Sequence, residues 1–269
     1  MSRERRAIPL AGHGAHLIAS DDGRSVVRMR TGRYAVLSAQ PEGLEGALTR
    51  APERAREDQR AYIERLSAEL GARDAADDAT RWPPHRRSVC LLGEGRVLDD
   101  LTIALDAWGI RTTRLGADEA PPRDATLVLA YADHGGERSR WTRFDELPGR
   151  GVAWLRVYRE GECVLIDPLA VTAGDATSEQ VSRRRVAASL VPDEVDAWQR
   201  NVADAGTPID AAASALAVAR VLQILLAWAQ GSDALESFRR TLWKLVPATG
   251  TVTEHTVVAY PEAPRSVLA

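Results

Sequence analysis

The chain has 269 residues, a length typical of one or two domains. Hydrophobic residues make up 45% and charged residues 27%, which excludes a wholly disordered chain. The 35 basic and 38 acidic residues give a net charge of -3, which argues against nucleic acid as a partner held by an overall basic surface.

Lysine and cysteine are rare, and this limits the chemistry of the chain. Lys244 is the one lysine, so no phosphate-binding loop ends in lysine. Cys90 and Cys163 are too few for a four-cysteine zinc site or a disulfide framework. The five histidines are not spaced for a shared metal, so we predict no metal site.

Two segments bear on whether the protein is secreted or inserted in a membrane. The charged N-terminus is not followed by an apolar stretch, so we expect a cytoplasmic protein without a secretory signal. The apolar segment 211–230 is interrupted by Arg220 and Gln223. It therefore predicts a core helix rather than a membrane span.

The first third of the chain predicts three short strands and then helices. Turn residues at 21–23 and 31–33 separate strands within residues 16–38. Alternation in the last strand places Tyr34, Val36 and Ser38 on one face and Ala35 and Leu37 on the other.

Two helices are predicted next, followed by a linker. The first helix lies within residues 41–51. The second spans 53–71, where apolar residues recur at helical spacing and Gly71 is a natural stop. The polar, proline-containing segment 72–88 is predicted to be a linker.

Strands and helices alternate after the linker. A continuous apolar run at 89–92 predicts a buried parallel strand. The order strand, glycine turn, helix, strand predicts a partly parallel sheet. The remaining strands are predicted at 110–115, 125–131, 151–158, 162–166 and 251–259, and helices at 97–108, 178–190 and 211–230.

Gly93-Glu94-Gly95 lies where a nucleotide-binding turn belongs, between a strand and a helix. The third glycine of that motif is replaced by Leu98, and Glu94 would repel a phosphate. The interpretation that needs no ligand is a tight turn retained by the fold.

The sequence around each of the seven tryptophans predicts two groups. Trp82, Trp141 and Trp154 lie near predicted loops or edge strands, where aromatic residues often serve interfaces. The others are predicted to be core residues: Trp108, Trp198, Trp228 and Trp243.

The N-terminal unit, with "GRSVVRMRTGRYAVLSA" and "RAYIERLSAELG", resembles the winged-helix element that recognises leader peptides of ribosomally made, modified natural products. The rest resembles the ThiF-like (ubiquitin-activating-type) partner subunits of azoline-forming YcaO cyclodehydratases. The matching segments are "LLGEG", "GVAWLRVYREGECVLIDPLAV" and "AAASALAVARVLQILLAW". The resemblance implies an α/β protein with a winged-helix-like β3α3 domain at 1–80 and a degenerate Rossmann-like (ThiF-like) domain at 81–269.

The sequence departs from that family at two sites. The family carries a CxxC soon after a "GPLV"-like strand end, whereas residues 167–180 contain no cysteine. The full glycine-rich turn and an acidic ribose contact are also missing. The resemblance therefore implies a scaffold without zinc or nucleotide, and hence without cofactors, whose remaining role is to present a peptide.

In the family the leader peptide pairs with the third strand and packs on the last helix. On this sequence, these are the segments 34–38 and 60–70. The resemblance implies these peptide-binding residues: Arg33, Tyr34, Val36, Ser38, Arg60, Ile63, Arg65, Leu66 and Leu70. The alternative for Ile63 and Leu66 is that they close the domain's own core.

Other functions stay open at this point. One is a ThiF-like enzyme that adenylates a carboxylate, and another is a winged-helix regulator that binds DNA. The expected partners of a presenting subunit are a precursor peptide and a YcaO-type or other modifying enzyme. The apolar helix 211–230 must be covered by its own sheet or by a second chain, and its small side chains favour a homodimer or heteromer, because Ala-rich surfaces allow backbones to approach.

Overall fold

A computed structural model describes residues 5–20, 24–49, 55–201 and 207–260. The predicted turn at 21–23 and the predicted helix boundaries at 51 and 53 lie outside these residues. The chain divides into two compact units, Met1–Thr80 and Arg81–Ala269, which are described separately.

The first unit is a small antiparallel sheet with two helices. Its four strands lie side by side in chain order. Leu17, Val27 and Leu44 form its core with Leu66 and Leu70. The elements are β1 (Arg5–Leu10), β2 (Ala15–Ser20), β3 (Ser25–Arg28), β4 (Tyr34–Leu37), α1 (Leu44–Thr49) and α2 (Glu57–Arg81).

Two predictions for this unit were wrong. The predicted β3α3 order lacks β1, whose Pro9 obscures the strand pattern. Because β1 is an edge strand, a residue without an N–H is tolerated there. The predicted linker 72–88 is largely helix, since α2 continues through Gly71 to Arg81. Alanines and charged residues, which are compatible with helix, fill that extension.

The second unit contains a seven-stranded mixed sheet in the order β11-β10-β9-β8-β7-β5-β6. The strands β8, β7, β5 and β6 are parallel, and the others pair antiparallel. The strands are β5 (Ser88–Leu92), β6 (Arg111–Leu115), β7 (Leu127–Ala132), β8 (Ala153–Glu160), β9 (Cys163–Ile166), β10 (Thr241–Val246) and β11 (Thr251–Thr256).

The helices of this unit lie between strands of the sheet along the chain. The crossover between β5 and β6 is α3, as the sequence predicts. The helices are α3 (Arg96–Asp106), α4 (Gly135–Arg138), α5 (Ser178–Ala187), α6 (Pro192–Asn201), α7 (Ala211–Gln230) and α8 (Ala234–Phe238).

Alternating residues of β7 serve two cores. Leu127, Leu129 and Tyr131 pack in one core with residues of α3 and α7. Val128 and Ala130 pack in the other, on the opposite face of the sheet. A strand buried on both faces carries a continuous apolar sequence, which explains why β7 was recognisable.

The helix α7 is long and apolar enough to cross a membrane by length and composition alone, but half of that segment is buried inside the protein. Core helices meet the same criterion. Its buried face includes Val221 and Leu225, which pack against the sheet, as a core helix requires.

The division of the tryptophans was partly wrong. Trp82, Trp141 and Trp154 are all buried, whereas Trp198, predicted to be core, is 38% exposed. The error has a simple cause: the short 3-10 helices around Trp141 fold back onto the sheet, where Trp141 and Trp154 meet edge to face.

Candidate functional site

Strand β4 offers an edge to a further strand. Among the described residues it pairs with β3 alone. The Met29 N–H donates to the Arg33 carbonyl at 2.8 Å, which sets the phase of the ladder. Because hydrogen-bonded pairs alternate, Ala35 and Leu37 bond to β3, and the N–H and C=O groups of Tyr34 and Val36 point to the open edge.

A groove of about 370 Å³ lies between β4 and α2. It belongs entirely to the first unit. Its lining combines backbone at the strand edge with side chains from one face of the helix, which is the arrangement that a β-addition site needs. The lining residues are Val27, Ala35, Val36, Leu37, Ser38, Ala39, Tyr62, Arg65, Leu66, Glu69, Leu70 and Arg73.

Contacts at the two ends of the groove show that α2 runs antiparallel to β4. At one end, the Tyr62 hydroxyl donates to the Ser38 carbonyl at 3.5 Å. At the other, Arg30, just before β4, donates to Asp74 and Asp78 of α2 at 2.7 Å each. These contacts fix which residues of the helix lie beside which part of the strand.

The groove has an apolar floor and a charged rim. Leu66 and Leu70 are buried at its floor, where they also belong to the core of the unit. Arg65, Glu69 and Arg73 are exposed on the rim. Burial raises the pKa of the Tyr62 phenol, and the charge of Glu69 adds to this.

The structure brings five of the nine predicted peptide-binding residues to the groove lining. These are Val36, Ser38, Arg65, Leu66 and Leu70. The other four, Arg33, Tyr34, Arg60 and Ile63, are not among the lining residues. Ile63 packs against the core, which was the alternative left open for it.

The predicted alternation along β4 is confirmed. Tyr34 and Val36 are 62% and 75% exposed, while Ala35 and Leu37 are half-buried. Two exposed hydrophobic side chains thus flank the open backbone groups of this edge.

Seven lining residues are not among the nine predicted ones: Val27, Ala35, Leu37, Ala39, Tyr62, Glu69 and Arg73. Tyr62, Glu69 and Arg73 follow from helical spacing around Leu66, but Arg73 lay in the predicted linker. Ala39 ends the strand in the left-handed region with φ of 53°, and no sequence signal marks it.

The glycine turn of the second unit lies at the C-terminal end of β5. Gly93 and Gly95 have φ of 102° and 111°. A Cβ on Gly93 would lie 2.3 Å from the Tyr131 carbonyl oxygen, so the turn approaches β7 more closely than a side chain allows.

A cavity of about 870 Å³ opens beside this turn. Acidic side chains line it at Glu94, Asp99 and Glu137. Arg114 of β6 also lines the cavity and is paired with Asp99 at 2.8 Å. Arg140 also lines the cavity, but the three carboxylates outnumber the two arginines, which weakens the attraction for a phosphate.

Charged side chains are buried near the C-terminal half of β8. Arg156 has no exposed surface, and its Nε lies 2.9 Å from Asp167. Its NH1 donates to Asp145 at 3.3 Å. Arg159 pairs with Asp133 at 3.0 Å, so the Asp133 carboxylate, which also accepts from the Tyr131 hydroxyl, is held by the protein itself.

The segment after β9, where the family pattern has a CxxC, is fixed by Asp175. Its carboxylate accepts from the N–H groups of Val171 and Thr172 at 2.7 Å each and pairs with Arg239 at 2.7 Å. Burial would raise the pKa of Asp175, but the hydrogen bond from Arg239 and those two amides outweigh it and lower the pKa. Within the described residues, no group of three histidine, cysteine or acidic side chains could hold a metal, so the residues present do not fit zinc.

No family description matches this sequence, and no curated protein matches it. The fold does match solved structures. A chain of the E. coli microcin synthetase McbBCD complex with pro-MccB17 bound is 12% identical, with a TM-score of 0.53 over 97% of this chain and 98% of that one. E. coli MccB with MccA is 11% identical, with a TM-score of 0.50 over 82% and 84%.

A third match is a heterocyclase in complex with substrate and cofactor, 11% identical with a TM-score of 0.50. The match covers 94% of this chain but only 38% of the heterocyclase chain.

These matches define the class of fold. Over nearly its full length, the chain has the fold of a chain of the E. coli microcin synthetase McbBCD complex. A small antiparallel N-terminal sheet followed by a mixed parallel and antiparallel sheet is common to this chain and that class. The predicted resemblance is thus confirmed as a similarity of structure.

Proposed function

We propose that this chain binds the leader segment of a ribosomally made precursor peptide and presents it to a modifying enzyme of the YcaO cyclodehydratase type. The first unit would be the winged-helix-like recognition domain, and the second a degenerate ThiF-like scaffold. The observation that carries the proposal is the open edge of β4 beside the apolar-floored groove. An extended peptide can hydrogen-bond to that edge and place alternate side chains in the groove.

Two of the similar structures support this proposal by the molecules that they contain besides the similar chain. One is a synthetase complex with its pro-peptide bound, and another is MccB together with MccA. At 11–12% identity they share the fold with this chain, and the peptide role is transferred here as a proposal.

The experiment that tests this function uses Val36→Pro in the full chain. The Val36 N–H points to the open edge, so proline removes a donor that the peptide needs and leaves the β3–β4 hydrogen bonds in place. We expect the affinity for a fluorescein-labelled precursor peptide encoded beside the gene to fall at least about tenfold, measured by fluorescence anisotropy.

The matched control is Val36→Thr, which keeps the N–H and the β-branched shape. We expect near-normal affinity for it. Circular dichroism would verify that both variants are folded. Equal affinity of Val36→Pro and Val36→Thr would contradict strand addition at this edge, and no binding of any neighbouring precursor would contradict the function.

An adenylating enzyme is the second candidate, and the cavity of about 870 Å³ at the glycine turn favours it. ThiF-like chemistry would place a nucleotide there, held by the turn and the start of α3. The acidic lining of this cavity argues for the non-catalytic role. A rise in Tm on addition of ATP and magnesium would support the enzyme instead.

We also propose a homodimer formed through α7. Its outer face leaves Leu216 48% exposed beside the small exposed residues Ala212, Ala215 and Ala219. Small side chains let two helices approach closely. We expect a dimer at micromolar concentration by light scattering and a monomer for Ala215→Arg, with Ala187→Arg, the same change at an exposed alanine of α5, as the control. A monomeric unmodified protein would exclude this contact.

A further inference from the structure

The charges on the rim of the groove favour particular side chains on an extended peptide bound there. Arg65, Glu69 and Arg73 follow one another at four-residue spacing along α2, so they lie on one side of the helix. All three line the groove. Among the described residues, neither Arg65 nor Arg73 takes part in an ion pair. The Arg65 guanidinium lies 5.8 Å from the Tyr62 ring.

The spacing of the two arginines matches a strand. Eight helical residues separate them, which is about 12 Å along the helix axis. Four residues of an extended peptide span about 13 Å. Because α2 runs antiparallel to β4, a peptide added to β4 would lie alongside the helix. Two peptide residues four positions apart would then lie opposite Arg65 and Arg73.

Between the two arginines, the groove has an apolar floor and an acidic side chain on its rim. Leu66 and Leu70 form the floor there, and Glu69 stands on the rim midway between the two arginines. An apolar side chain fits this position, whereas a carboxylate would be repelled by Glu69 and would lose hydration over the leucines.

Side chains two and four residues apart in a strand share one face, so all three features can be read by the same face of one peptide. We propose that the groove selects a leader segment with two acidic side chains four residues apart and an apolar side chain midway between them. The acidic residues would pair with Arg65 and Arg73, and the apolar residue would cover Leu66 and Leu70. This inference rests on the proposed function and names the class of peptide that the site takes.

The test measures binding of labelled synthetic peptides to the full chain by fluorescence anisotropy. One peptide carries glutamate, leucine and glutamate at alternate positions in a threonine and serine background. A second has the same composition with the two glutamates moved one position closer, which turns one of them to the other face. We expect the first peptide to bind about three- to tenfold more tightly, and the difference to shrink at high salt.

Charge reversal locates the two contacts. Arg65→Glu and Arg73→Glu should each weaken the first peptide by about three- to tenfold. Arg123→Glu, an exposed change of equal charge in the other unit, should leave its affinity within about twofold. A lysine at one glutamate position should restore binding to Arg65→Glu only, and a lysine at the other position to Arg73→Glu only.

The outcomes separate the two proposals. If the peptides bind and Val36→Pro weakens them, but spacing and charge reversal have no effect, the acidic pattern is wrong and strand addition stands. If none of these peptides and no neighbouring precursor binds, the proposed function itself is wrong. Rescue by either lysine regardless of the variant would show general charge attraction and overturn the paired contacts.

Discussion

Replacing Arg156 by leucine is expected to lower the free energy of unfolding by about 3–5 kcal/mol. Arg156 is fully buried and forms an ion pair with the buried carboxylate of Asp167 at 2.9 Å. It also donates to the carbonyls of Pro168 and Ala176. Leucine would leave that carboxylate without its counter-charge and those carbonyls without a donor. Since domains are stable by about 5–15 kcal/mol, this change would bring the protein close to unfolding.

Urea unfolding followed by tryptophan fluorescence would measure this loss. Arg150→Leu is the control, because its ion pair with Glu146 is exposed and is worth about 0–1 kcal/mol. The double variant Arg156→Leu with Asp167→Asn should regain part of the stability, because the uncompensated charge is removed. A loss for Arg156→Leu no larger than that for Arg150→Leu would show that the buried pair contributes little.

The same arginine shows why part of the fold could not be predicted. Strand β8 reads as apolar residues interrupted by Arg156 and Arg159, and a charged residue in a strand usually indicates an exposed face. Both are buried because Asp145, Asp167 and Asp133, distant in sequence, come to lie beside them. Strands β5 and β7 were predictable, because burial on both faces requires a continuous apolar run.

The groove was predictable in part, for reasons of helix geometry. Helical spacing predicts the helix that carries Leu66 and Leu70, alternation predicts the strand face of Val36, and the resemblance implies that these residues bind the peptide. Arg60 is implied by the resemblance because it begins the predicted peptide-binding segment and its charge suits an acidic leader. It lies five residues before Arg65, which places it about 140° around the helix, away from the groove. Arg73 was missed because the end of α2 has no apolar pattern of its own.

Gly93→Ala is expected to cost about 2–4 kcal/mol of unfolding free energy. The left-handed φ of 102° accounts for part of this cost. The larger part comes from the Cβ, which would lie 2.3 Å from the carbonyl oxygen of Tyr131. That oxygen belongs to a buried strand in the middle of the sheet, so it has little freedom to move.

Gly109→Ala is the matched control, because Gly109 has a positive φ of 68° and nothing within 4 Å of its Cβ position. We expect about 1 kcal/mol of destabilisation there, so the difference between the two variants in urea unfolding isolates the steric clash. Equal losses would mean that the turn can move away from β7. A larger loss at Gly93, measured without any nucleotide, would show that the fold alone requires this glycine. The glycine turn would then be retained by the fold whether or not a phosphate ever binds there.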